Sequence, residues 1–371
     1  MNTSHVYFIN LRASYHRNIF VKLNLLFQNL KIGNIVSPHD LVAIKLHFGE
    51  KGSTSFIRPL WIREVVNLIK KLQAKPFLTD TTTLYVGNRA NAIDAITNAI
   101  HNGFAYSTVG APIIIADGLR GTSYKKIEIN QKHFKEIHLA ESIYYCDSII
   151  CLSHFKGHGL GGFGGSIKNL SMGMSDKYGK QLMHGSHAPI IKEDKCIGCK
   201  ICINWCSAKA LFVIKNKINL DVNKCVGCGQ CLVSCPQNVF EVNWNALSPT
   251  KVQERLCEYA LGVLSQKKGK IGFINFLIDI VPDCDCCPHS DAPIIPNIGI
   301  LASLDPVAID QASVDLVNQE IGLKGTALKE NINAHTDKFK SIHPKVNWKI
   351  QLNYGEKIGL GKRKYQLIQI D

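Results

Sequence analysis

Residues 41–80, LVAIKLHFGEKGSTSFIRPLWIREVVNLIKKLQAKPFLTD, decide the fold. Leu41 to Leu46 is an apolar run of strand length. Ile62 to Leu72 carries apolar residues at helical spacing, and Lys75 to Leu78 is a second short run that ends at Thr79-Asp80. Strand, helix, strand is the unit of a parallel α/β sheet. The alternation continues outward. Ala92 to Asn102 reads as a helix, and Pro112 to Ala116 and Ser148 to Leu152 read as strands. Further on, Lys251 to Gln266 reads as a helix with Val252, Leu256, Ala260 and Val263 on one face. Lys270 to Ile280 and Asn297 to Leu301 read as strands. A helix then opens at Asp305-Pro306, with Asp305 as its N-cap and proline in its first turn. The Lys-rich residues 324–371 are expected to cover a sheet edge.

The composition sets limits. The chain has 371 residues, 46% of them hydrophobic and 19% charged, enough apolar material for a core and too much for a disordered chain. The longest membrane candidate, Ile271 to Val281, contains Asn275 and Asp279 and falls short of the ~20 apolar residues a span needs. The opening Met1-Asn2-Thr3-Ser4-His5 lacks a basic stretch leading into an apolar one, so no secretory signal is expected. The net charge of +14 is spread along the chain apart from an acidic segment at 244–323. No Arg-rich aromatic stripe accompanies it. That speaks against nucleic acid and suits an acidic protein partner.

Fourteen cysteines are the informative feature. Eight form two copies of one spacing, Cys196-x-x-Cys199-x-x-Cys202-x-x-x-Cys206 and Cys225-x-x-Cys228-x-x-Cys231-x-x-x-Cys235-Pro236, offset by 29 residues. Three thiolates two residues apart can wrap three corners of an iron–sulfur cube, and the fourth begins a helix leading away. Gly198, Gly227 and Gly229 let the backbone fold close to the sulfides. Ala210 to Ile214 and Val239 to Val242 read as the paired strands after each motif. A zinc ribbon would need four ligands per knuckle, which this three-plus-one pattern does not follow. The segment 187–245 resembles a bacterial 2[4Fe-4S] ferredoxin domain. That resemblance implies crossed ligation: Cys196, Cys199, Cys202 and Cys235 for one cluster, Cys225, Cys228, Cys231 and Cys206 for the other. Ser207 departs from the family, which usually has proline there; no ligand is lost. Oxygen-sensitive clusters suit a reducing, anaerobic cytoplasm.

Polar clusters gather where the predicted strands end, the functional edge of a parallel sheet. They are Lys45-Leu46-His47-Phe48-Gly49-Glu50; Asp80-Thr81-Thr82-Thr83-Leu84-Tyr85 with Gly87-Asn88-Arg89; and His154-Phe155-Lys156-Gly157-His158. The last runs into Gly161-Gly162-Phe163-Gly164-Gly165 and Lys168-Asn169. Repeated glycines before a helix can offer backbone N–H groups to an anion. HFGE, DTTTLY…GNRANA and HFKGHG…GGFGGSIKNLSMG resemble the family catalogued as domain of unknown function 362, over about residues 40–320. Members often carry a ferredoxin domain, and the DPVAID run at 305–310 is similar to one in the family. The resemblance implies an iron–sulfur protein and supplies no substrate.

Asp283-Cys284-Asp285-Cys286-Cys287-Pro288-His289 follows the strand at 270–280. Three thiols in four residues could hold a third iron–sulfur cluster or a metal ion, with Asp285 or His289 completing the site. They could equally form a redox disulfide between Cys284 and Cys287, or remain structural. Cys146, Cys151 and Cys257 read as core cysteines, and His184-Gly185-Ser186-His187 as a linker.

The expected architecture is a two-lobed, mostly parallel α/β body, residues 1–186 and 246–371, with an inserted α+β ferredoxin-like domain at 187–245. The expected activity is iron–sulfur oxidoreduction. Two [4Fe-4S] clusters would pass low-potential electrons to a small anionic substrate at His47, Glu50, Asp80, His154, Lys156, His158, Lys168 and the Cys284, Cys286 and Cys287 motif. His or Glu would donate protons and Lys would bind the anion. Two alternatives stand beside this reading. One is a non-enzymatic electron carrier docking a redox partner protein, and the other a metal or cluster delivery protein.

Overall fold

The computed structural model describes residues 3–185, 188–244 and 246–370. The expected junctions at 186–187 and 245 lie outside the described residues. An eight-stranded sheet forms the centre. Its strands, from one edge to the other, are Tyr365–Gln369, Ser4–Asn10, Gly299–Ser303, Ile271–Leu277, Ser148–His154, Leu41–Lys45, Lys75–Asp80 and Ile113–Ile115. Gly299–Ser303 is antiparallel to both neighbours, and every other pairing in the sheet is parallel.

Side chains alternate between two apolar layers, as the period of a strand requires. Val42, Ile44, Ile150, Leu152, Ile274 and Phe276 face one layer. Ala43, Ile149, Cys151, Phe273 and Leu277 face the other. The first layer is closed by helices Ile19–Asn29, Pro59–Lys71 and Ala92–His101, the second by Pro249–Gln266, Pro306–Gln319 and Lys349–Lys357. The helix at 306 starts as its sequence implies, with the Asp305 carboxylate accepting from the Val307 and Ala308 N–H groups. Cys146, Cys151 and Cys257 are buried in the second layer.

Two expectations change. The two parts of the chain do not build separate lobes. Residues 4–154 give five strands and 271–369 give three, all hydrogen-bonded in one sheet. The C-terminal segment does more than cover the edge. Tyr365–Gln369 becomes the edge strand, parallel to Ser4–Asn10.

Residues 190–241 form a smaller unit with its own apolar cluster, built from Cys196, Cys202, Leu211, Ile218, Leu232, Cys235, Val239 and Phe240 among others. Leu211–Ile214 pairs with Lys217–Leu220, and Phe240–Glu241 pairs with Ile190–Ile191. The two strands that follow the cysteine motifs therefore pair with different partners, not with each other.

Candidate functional site at the strand ends

From Leu41–Lys45 the chain steps outward to Lys75–Asp80 and Ile113–Ile115, then returns to lay Ser148–His154 on the other side of Leu41–Lys45. This is where the strand order reverses, and crevices in α/β sheets open at the carboxyl ends of such strands. A cavity of about 340 Å³ lies there. Its wall includes His47, Asp80, His154, Lys156, His158, Lys168, Cys284 and Cys286. Of the expected site residues, Glu50 and Cys287 stand outside the wall. Five cations, Lys45, Arg89, Lys156, Lys168 and Lys180, face it against one carboxylate, Asp80.

Most of these charges are paired behind the surface. Lys45 Nζ lies 3.0 Å from Asp80 Oδ1 and donates to Asn169 Oδ1 at 2.7 Å. Arg89 Nε meets Glu50 Oε2 at 3.1 Å, its Nη1 stands 3.6 Å from Asp80 Oδ2, and its Nη2 donates to the Tyr85 hydroxyl at 2.6 Å. Burial pushes the Asp80 carboxyl up, but Lys45, His47 and Arg89 together hold it below its ordinary value. Glu50 thus serves as a buried counter-ion of Arg89.

His154 is likewise engaged. Its Nε2 faces the carbonyl oxygens of Ile278 and Asp279 at 2.8 and 3.1 Å, and its Nδ1 faces Asp285 Oδ1 at 2.8 Å. Both nitrogens thus face protein acceptors. Lys156 Nζ donates to Asp285 Oδ2 at 2.9 Å. Burial alone would raise the Asp285 carboxyl; His154 and Lys156 hold it well below the usual carboxylate range. Asp285 is therefore engaged by both His154 and Lys156. His289 is exposed and does not line the cavity.

His47 and His158 behave differently. Nδ1 of His47 accepts from the Gly49 N–H at 3.0 Å, and Nδ1 of His158 accepts from the Gly161 N–H at 3.0 Å. With Nδ1 an acceptor, a neutral ring carries its proton on Nε2. Burial first, then neighbouring cations, push both rings well below the ordinary histidine value. Both are neutral hydrogen-bond donors suited to a substrate oxygen, not proton-carrying acids.

Among the described residues, Lys168 is the one of these five cations that forms no salt bridge with a carboxylate; Lys180 stands 3.9 Å from Asp117 Oδ2. Lys168 Nζ lies 3.0 Å from Cys284 Sγ. Burial opposes its charge and the Cys284 and Cys286 thiols favour it, with the net shift upward. The neighbouring Cys286 thiol, and then burial, push the Cys284 thiol well above its ordinary value. Among the described residues, no group of three or more His, Cys, Asp or Glu is arranged to hold a single metal ion.

The glycine-rich loop has another role than expected. Gly162–Gly164 pairs antiparallel with Lys156–His158. A side chain at Gly157 would place its Cβ 2.0 Å from the Pro282 carbonyl oxygen, so glycine lets this hairpin lie against the strand end that carries Cys284. The N–H groups of Ser166 and Ile167, expected to greet an anion, already donate to Asp310 at 2.7 and 2.9 Å. An internal carboxylate occupies that helix start.

The second cysteine array is also placed. One pocket is ringed by Cys196, Cys199, Cys202 and Cys235, another by Cys206, Cys225, Cys228 and Cys231. These are the crossed sets. No disulfide joins any cysteine among the described residues. Gly198, Gly227 and Gly229 all have positive φ, and Lys200 takes φ 62° at the position that Gly229 occupies in the second copy. The Ile218 N–H points at Cys196 Sγ (3.4 Å) and the Ala210 N–H at Cys206 Sγ (3.2 Å), donors of the kind thiolates need.

Several wall residues escaped sequence reasoning. Arg89 and Tyr85 stood in a conspicuous stretch without a role. Lys180 donates to Thr81 Oγ1, the Thr82 carbonyl and the Ser175 carbonyl. His184 was read as linker but ends the helix Lys177–His184 and lines the cavity edge-on to Trp244. Ser186 and His187, the rest of that stretch, lie outside the described residues. Leu84 belongs both to the cavity wall and to the apolar cluster of the cysteine-rich unit.

The chain belongs to the family described as Domain of unknown function (DUF362), whose model matches residues 42–315. A comparison with curated proteins finds no match. Among solved structures, the chain is similar to the lactate racemase apoprotein from Thermoanaerobacterium thermosaccharolyticum, at 10% identity and a TM-score of 0.38. The similarity covers 74% of this chain and 51% of that one, so this chain spans about half the length of that protein. Among the described residues, no helix is long and apolar enough to cross a membrane.

Proposed function

We propose that this chain is a cytoplasmic iron–sulfur oxidoreductase that passes low-potential electrons to a small anionic substrate in the strand-end cavity. Residues 187–245 act as an inserted 2[4Fe-4S] ferredoxin domain between body parts 1–186 and 246–371. The observation that carries this reading is the pair of four-cysteine pockets, each with the crossed composition of a two-cluster ferredoxin. When bound, each cluster supplies one-electron chemistry at low potential. Lys168 anchors the anion, and His47 and His158 donate Nε2–H bonds to its oxygens. Lys45, Asp80, Arg89 and Glu50 form a rigid charged floor that holds these groups in place. An external reductant is oxidised by as many electrons as the substrate gains, and water supplies the protons. Cys284, Cys286 and Cys287 are a candidate third cluster site. The neighbouring Lys168, Lys156 and Arg89 would balance its negative charge.

The test is anaerobic purification with iron and acid-labile sulfide counted per chain, and electron paramagnetic resonance of the reduced protein. About eight irons and eight sulfides support two cubes, the number such a ligand set holds. Clearly more iron, lost on Cys284→Ser, adds the third site. A chain that holds zinc or no metal, with its cysteines free, overturns the reading. About eight irons and full reduction without turnover of any anion would leave an electron carrier.

A further inference from the structure

The two four-cysteine pockets meet different surroundings. The pocket of Cys206, Cys225, Cys228 and Cys231 is pressed against the body. A Cβ on Gly229 would stand 3.0 Å from Leu84 Cδ1, and Gln230 Nε2 donates to the Arg120 carbonyl at 3.1 Å. The Arg120 guanidinium lies 3.6 Å from the ring centre of Trp205, next to Cys206. The pocket of Cys196, Cys199, Cys202 and Cys235 is lined by residues from 196 to 240. Its Cys199 is exposed, beside Ile197 at 60% and Ile201 at 39% exposure.

The turn at 214–217 folds over this outer pocket. Asn216 packs on Gly198, and Lys217 Nζ donates to the Cys196 carbonyl at 2.6 Å. The turn brings exposed Ile214 and Lys215 beside exposed Lys195 and Lys200. Glu193 and Asp194 are also exposed nearby, so three free-standing lysines face two acids. An apolar centre with a basic rim is the form of a surface that steers an acidic protein.

We propose that the surface around Ile197, Cys199 and Ile214, rimmed by Lys195, Lys200 and Lys215, docks a small acidic electron-carrier protein, while the Cys206–Cys231 side faces inward to the cavity. This inference rests on the iron–sulfur reading and adds its partner and its direction. At each encounter the carrier loses one electron to the group held by the outer cysteines, with no bond made or broken. The chain's own residues only orient the two proteins.

The probe is a small acidic [2Fe-2S] ferredoxin, mixed with the anaerobic holoprotein. Binding is measured by calorimetry across salt concentrations, and contacts are mapped by zero-length carbodiimide cross-linking. The expected result is affinity that falls steeply with salt and cross-links at Lys195, Lys200 and Lys215. The triple variant Lys195→Glu, Lys200→Glu, Lys215→Glu should bind ~10-fold or more weakly, the scale expected when charges of a docking rim are reversed. Its iron content and its reduction by dithionite should be unchanged. Cross-links elsewhere, cross-links to a second copy of this chain, or an unchanged affinity would overturn the docking surface while leaving the clusters intact. Absence of iron in the wild type would instead overturn the functional reading.

Discussion

Removing Arg89 should destabilise the protein far more than a surface arginine could. The guanidinium is 3% exposed and touches Glu50, Asp80 and Tyr85. Arg89→Met keeps much of the volume but strands Glu50 with no cation and leaves Asp80 only Lys45 as a salt-bridge partner. Stranding one partner of a buried pair costs about 3–5 kcal/mol, where an exposed pair is worth at most about 1. Arg89→Lys should recover little, because the two carboxylates and the hydroxyl are reached by three different nitrogens. The assay is urea unfolding of the holoprotein by far-ultraviolet circular dichroism, followed from pH 7 down to below the ordinary aspartate value. Asp80 is depressed in the native state, so its contribution is present above the unfolded carboxylate value and is lost as pH falls through the folded one. A protonated Asp80 needs no guanidinium, so the gap between wild type and Arg89→Met should narrow as pH falls through the depressed Asp80 value. Glu50→Gln with Arg89→Met should lose less than the sum of the two single changes. A single-variant loss below about 1 kcal/mol at pH 7, or strict additivity, would refute the charged floor.

Two further outcomes are expected. Asp310→Ala leaves the Ser166 and Ile167 N–H groups without their acceptor and Asn275 Nδ2 with only Ser313 Oγ, and should cost at least about 3 kcal/mol in denaturant unfolding. Burial pushes the Asp310 carboxyl up to about 6, so its contribution is full at low pH and is lost as pH rises through that value; Asp310→Asn should remove this dependence. Burial lowers His184 to about 4, so the wild type should lose stability as pH falls from about 6.5 toward that value, and thermal unfolding of His184→Phe should show a shallower slope, with His47 and His158 supplying the remainder.

The central strands were legible because each is a compact apolar run. SIICLSH is buried along its whole length, and four of the five residues in LVAIK are buried. The edge strand YQLIQ was not, since every residue is partly or fully exposed and it forms only by pairing with residues 4–8 from the far end of the chain. The same distance in sequence hid the roles of the site residues. That His154 and Lys156 matter could be read from a polar cluster after a strand. That both bind Asp285 could not, because that carboxylate lies 131 and 129 residues away. The glycine loop invited an anion for the same reason. Its true carboxylate, Asp310, arrives from 144 residues on. The repeated cysteine spacing was readable because it is local, and the different surroundings of its two halves were not, because Leu84 and Arg120 come from the body.

The place where the cysteine-rich unit leaves the sheet has a consequence of its own. Strand order reverses between Leu41–Lys45 and Ser148–His154, and the connections on either side diverge there. The chain follows one of them through the hairpin at 156–164 and the helices Ser166–Ser171 and Lys177–His184, all beside the crevice, before residues 190–241 begin. Residues 190–241 thus follow directly on elements that line the crevice, with His184 in its wall. The sheet edge formed by Ser4–Asn10 and Tyr365–Gln369 lies elsewhere. Leu84, just beyond the Asp80 strand end, belongs both to the wall of the charged cavity and to the apolar cluster of the cysteine-rich unit, so that one apolar side chain is shared by both.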